Sequence, residues 1–95
     1  MNNINGTLNA GQEIMSKVKI NFGHAANTAT NAAGGHVIGG DLTIVNGYVV
    51  YQFRVISGDQ EKTVIVDAGS GEVLYTSEGM PAVEAFNVTT AEPAQ

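Results

Sequence analysis

Ninety-five residues leave room for one domain with one core, burying roughly 60–65% of the surface an unfolded chain of this size exposes. Hydrophobic residues make up 43% of the chain but charged residues only 14%, against roughly 25% in ordinary soluble proteins, with Asn, Thr and Gly filling the gap. Four Lys and Arg against nine Asp and Glu give a formal charge of -5, which argues against a grip on nucleic-acid phosphates, and the absence of Cys removes disulfides, thiol nucleophiles and Cys-based zinc sites.

Residues 1–21 form an Asn-rich N-terminal arm with neither the basic start nor the apolar stretch of a signal peptide. An extracellular or cell-surface location therefore implies a signal already removed. Within the arm, Ile14, Met15 and Val18 suit a short helix, whereas Val18, Ile20 and Phe22 alternate like a strand, so residues 10–20 admit both readings. Phe22, Ala25, Ala26, Ala29 and Ala33 then recur at spacings of three and four, which predicts a helix capped by Asn21 and stopped by Gly34-Gly35. Asn27, Thr28, Thr30 and Asn31 are poor helix formers, so packing of the Ala stripe must hold it.

Asn46-Gly47 separates two runs rich in β-branched and aromatic residues and is the favoured pair for a type I′ hairpin. Strands are expected at His36–Val45, Tyr48–Ile56, Lys62–Asp67 and Glu72–Thr76, the last reached through Ala68-Gly69-Ser70-Gly71. A two-residue turn sets Val45 opposite Tyr48, which places Leu42, Ile44, Val49, Tyr51, Phe53 and Val55 on one face, continued by Val64 and Val66. That is the expected core face. The other face is mixed, with Asp41, Thr43, Gln52 and Arg54 among Val45, Tyr48, Val50, Ile56 and Ile65, and it leaves room for a covering segment. Residues 78–95 form a C-terminal arm with a short apolar piece from Val83 to Val88.

The helix with Ala25, Ala26 and Ala29, the stretch Val50-Tyr51-Gln52-Phe53-Arg54-Val55, and Val66-Asp67-Ala68 followed by Gly71-Glu72-Val73-Leu74 together resemble a PepSY domain over roughly residues 20–77. The resemblance implies an α+β fold, one Ala-rich helix on an antiparallel sheet of about four strands, spanning residues 22–77 between the two arms. It also implies a secreted or surface protein of the kind that restrains peptidases, with no catalytic residues to carry over. In the last motif Asp67 can cap the turn amides while Gly69 and Gly71 make the bend, as Asn46 and Gly47 do in the hairpin.

Little else carries chemistry. His24 and His36 stand twelve positions apart without a second ligand at helical spacing, Ser70 lacks the Gly-x-Ser-x-Gly context, and Gly69-x-Gly71 is too short for a dinucleotide loop. No enzyme, metal or cofactor is expected, nor a nucleic-acid partner or a membrane span. Asn5 and Asn87 head acceptor sequons compatible with glycosylation. With few charges to guard its sheet edges, the domain is expected to bind protein, either copies of itself or another protein, with Val45, Tyr48, Val50, Ile56 and Ile65 as the contact face.

Overall fold

A computed structural model describes residues 4–8 and 18–81. Residues 10–17, the apolar piece Val83–Val88 and the Asn87 sequon lie outside the described residues. The helix, α1, spans Phe22–Ala33. Asn21 caps it, its Oδ1 accepting from the His24 amide at 2.8 Å, and Gly34 ends it in the left-handed region with its amide on Thr30 O. Both caps supply partners that the helix ends cannot find internally.

The strands are β1 (His36–Val45), β2 (Tyr48–Ser57), β3 (Gln60–Asp67), β4 (Val73–Thr76) and the two-residue β5 (Met80–Pro81). They form one antiparallel sheet in the order β1-β2-β3-β4, with β5 pairing β3 beyond the end of β4. The α+β expectation of one helix on an antiparallel sheet holds, with β5 as a fifth strand. Asn46 and Gly47 both have positive φ, as a type I′ turn requires, and the register places Val45 opposite Tyr48 and Ile44 opposite Val49. Two irregularities interrupt the ladder, one between Val37 and Gly39 on β1 and one opposite Ile65 and Val66.

Ala25, Ala29 and Ala33 press α1 onto Val49, Tyr51, Phe53, Val55, Val64 and Val66, and the small Ala side chains let helix and sheet approach closely. Phe22 extends this inner core with ring contacts to Tyr51 at 5.8 Å and Phe53 at 5.3 Å. Leu42 and Ile44, expected inside, are instead exposed at 36% and 52%. The segments that cover the inner face, α1 with Leu8, Val18 and Ile20, centre on β2 and β3, and these two edge-strand residues lie at the rim. Val18–Ile20 is neither helix nor strand: Lys19 and Ile20 both donate their amides to Ala68 O, and Ile20 O accepts from the Tyr51 hydroxyl at 2.7 Å.

Candidate functional site

The mixed outer face carries a second, smaller core made of Ile4, Val50 and Ile65, flanked by Val45, Tyr48 and Leu74. Val50 and Ile65 are fully buried, with Ile4 packed on them at the start of a strap that residues 4–8 of the same chain form. Period-two alternation puts Val50, Ile65 and Asp67 on this face together. Of the five residues expected to make contacts, Val50 and Ile65 thus sit beneath the strap, Val45 and Tyr48 form its rim, and Ile56 lies near the far end of β2, opposite His36 and Glu61.

Polar contacts at one end of the sheet hold the strap. Asn46 donates its side-chain amide to Ile4 O at 2.7 Å, and the Val49 amide donates to Leu8 O at 2.8 Å. Between them Asp67, fully buried, accepts from the Thr7 amide at 2.9 Å, the Thr7 hydroxyl at 2.6 Å and the Ser70 amide at 2.7 Å. Burial alone would push the Asp67 carboxyl up, but the hydrogen bonds from Thr7 and Ser70 outweigh it and hold the group below the usual carboxylate range. The strap thereby passes from the outer face, where Ile4 packs, around the sheet end to the inner face, where Leu8 joins the main core.

Asp67 also builds the turn into β4. Its carbonyl accepts from the Gly71 amide at 2.9 Å, its own amide donates to Glu72 O at 2.8 Å, and Ser70 Oγ accepts from the Glu72 amide. Gly69 leaves space for the strap: a Cβ there would overlap Thr7 Oγ1 and stand 3.1 Å from Leu8 Cγ. Gly71 has φ 83°, and a Cβ would stand 3.2 Å from Ile20 Cδ1. Gly71→Val should therefore destabilise the fold by about 1–3 kcal/mol, the cost of a branched residue held at positive φ, as read by urea denaturation. A loss under about 0.5 kcal/mol would contradict this geometry.

Elsewhere on the outer face lies an open groove of about 410 Å³ lined by Gly39, Gly40, Asp41, Thr43, Gln52 and Arg54. Arg54 is committed to Glu61, with Nε to Oε2 at 2.8 Å, and this hydrogen bond keeps the guanidinium pKa above its ordinary value despite some desolvation. Among the described residues no group of three or more His, Asp or Glu is placed to hold a metal ion; His24 lies on the first turn of α1 and His36 at the start of β1, both exposed. Asn5 is exposed within the strap, and the Thr7 of its sequon is the residue bound to Asp67. Sequence reasoning assigned Asp67 to the turn and missed its hold on the strap. The signal available was the pairing of a buried-face Asp with Thr7, sixty positions away, which no local pattern links.

No curated protein and no solved structure matches the chain. One family model does: PepSY, described as the peptidase propeptide and YPEB domain, matches residues 19–76. The match takes in α1 and β1 to β4, while the strap and β5 fall outside it. Domains of this kind are generally non-catalytic, propeptide-like modules that bind protein, and they are typically extracellular or periplasmic. Among the described residues no helix is long and apolar enough to cross a membrane. With more than half of its length inside the match and the helix-on-sheet fold in agreement, the chain belongs to the PepSY family.

Proposed function

We propose that this domain is a non-catalytic structural module outside the cytoplasm that assembles with copies of itself through its sheet edges and terminal arms, as the subunit of an extracellular filament or surface layer. The observation that carries this reading is the strap. It is a peripheral element with its own apolar seat, Val50 and Ile65, and its own polar clamp, Asp67. The chain leaves the strap at Leu8, beside Gly69, and re-enters the fold at Lys19 and Ile20, bonded to the adjacent Ala68. Ten residue steps from Leu8 to Val18 can reach roughly 33–36 Å when extended, far more than this short gap requires. A strap can therefore lie on its own sheet or on that of a neighbour with the same contacts, and heterologous exchange of this sort propagates into a filament.

Light scattering with electron microscopy of the full chain tests the proposal. Regular particles many times the monomer mass are expected, and Ile4→Asp, which sets a carboxylate on the apolar seat, should reduce them to folded species no larger than dimers. Assembly unchanged by Ile4→Asp would refute arm exchange. A native chain that stays monomeric at high concentration would refute self-assembly altogether and favour the second reading, which the family match supports: a peptidase-restraining or other partner-binding module.

A further inference from the structure

The open edge of β1 forms a second surface, and it is self-complementary. In the hairpin, Val49 directs its amide to Leu8 O and its carbonyl to the Ala68 amide, both away from β1. Its cross-strand partner Ile44 must therefore direct its own backbone groups away from β2, and Leu42, two residues back and opposite Tyr51, does the same. These are the two β1 residues whose side chains are exposed on the helix side of the sheet, at 36% and 52%, beside the 47% exposed ring of Phe22. Free backbone groups and free apolar side chains thus coincide on Leu42 and Ile44. Among the described residues no strand pairs with this edge. Over Asp41–Val45 the edge has no Lys, Arg, Pro or bulge to guard it, and its one charge is Asp41.

We infer that β1 pairs antiparallel with β1 of a second copy across a two-fold axis through Thr43, joining two sheets into one. This deepens, and rests on, the self-association reading. In this register Leu42 of each copy faces Ile44 of the other as hydrogen-bonded pairs, and their side chains form one apolar cluster bordered by the two Phe22 rings. Asp41 faces Val45 of the second copy, so no like charges oppose each other. The two Asp41 residues lie about 13 Å apart along the seam, four strand residues, which exceeds the roughly 8 Å screening length at physiological salt. An axis half a residue away would pair outward-facing residues with inward-facing ones; one through Ile44 would set Leu42 against the turn residue Asn46, and one through Leu42 would bring the two Asp41 residues to within two strand residues, about 7 Å, inside the screening length. The hairpin turn confines pairing to Asp41–Val45, because Gly40 already falls opposite Asn46 of the second copy, so this contact is small, in the weak class below about 1,200 Å², and concentration-dependent.

The absence of native Cys makes disulfide trapping in the full chain decisive. Facing Thr43 residues form a non-hydrogen-bonded pair with Cα atoms about 4.5 Å apart, within disulfide range. Under mild oxidation Thr43→Cys should form covalent dimers at least about tenfold faster than Asp41→Cys, whose thiols are held well beyond that range. Adding Ile44→Lys should abolish the trapping. Absence of a Thr43→Cys dimer, or equal trapping at position 41, would overturn the inference. Ile4→Asp separates the two interfaces: trapping that survives it while large particles vanish supports both, trapping without any Ile4→Asp effect supports the β1 pair and refutes arm exchange, and loss of particles without trapping does the reverse.

Discussion

Asp67→Ala is expected to lower stability by about 3 kcal/mol, because it removes an acceptor of three hydrogen bonds from a fully buried position and leaves the Thr7 amide, the Thr7 hydroxyl and the Ser70 amide to find other partners. For a domain of this size that corresponds to a melting temperature lower by roughly 12–24 °C. The effect depends on pH. The carboxyl sits below its unfolded value of about 3.9, so its contribution is fully present above that value and is lost as pH falls through the lower folded value. The stability gap between native chain and variant should therefore be constant from pH 5 to 7 and shrink under acid, as thermal denaturation across pH will show. A gap that widens as the solution becomes more acidic would mean that the buried group is neutral in the folded state.

Ile65→Ala should cost about 2–5 kcal/mol, the usual range for emptying a fully buried Ile site. Ile65 lies on the central strand β3, between Gln52 of β2 and Tyr75 of β4, and under Ile4. The cavity cannot be filled by the sheet, whose ladder is fixed, so the strap is the element that loosens. That gives a local readout besides a lower urea midpoint. The Val49 amide, bonded to Leu8 O, should exchange with solvent deuterium well before amides of the β2–β3 ladder. Exchange at Val49 that stays in step with the ladder would show that the strap does not depend on this seat.

Much of the architecture is legible in the sequence, because it rests on local chemistry. Asn46-Gly47 determines the hairpin and its register, and the Ala spacing with Asn21 and Gly34 determines α1. The misplaced pair, Leu42 and Ile44, shows where periodicity stops. Alternation says which face a residue occupies but not how far the covering layer extends over an edge strand. β5 escapes notice because two residues hold no period, and their place on β3 follows from the tertiary path. The strap is hardest to read. Its seat is a face, its clamp is one carboxylate, and both belong to residues more than forty positions away. The candidate site was therefore visible as a half-apolar face, and its occupant was not.

The bond from Thr7 to Asp67 also has a kinetic meaning. The hairpins join neighbouring segments and α1 packs on strands up to about forty residues away, whereas docking the strap closes a loop of sixty residues, the larger loop entropy, which must be met before its contacts form. Late docking and early release of the strap are the expected outcome. Interactions made after the transition state govern how slowly a protein opens and scarcely affect how fast it forms. A catch of this kind is expected at Asp67: Asp67→Ala should speed unfolding far more than it slows folding, as stopped-flow kinetics would read.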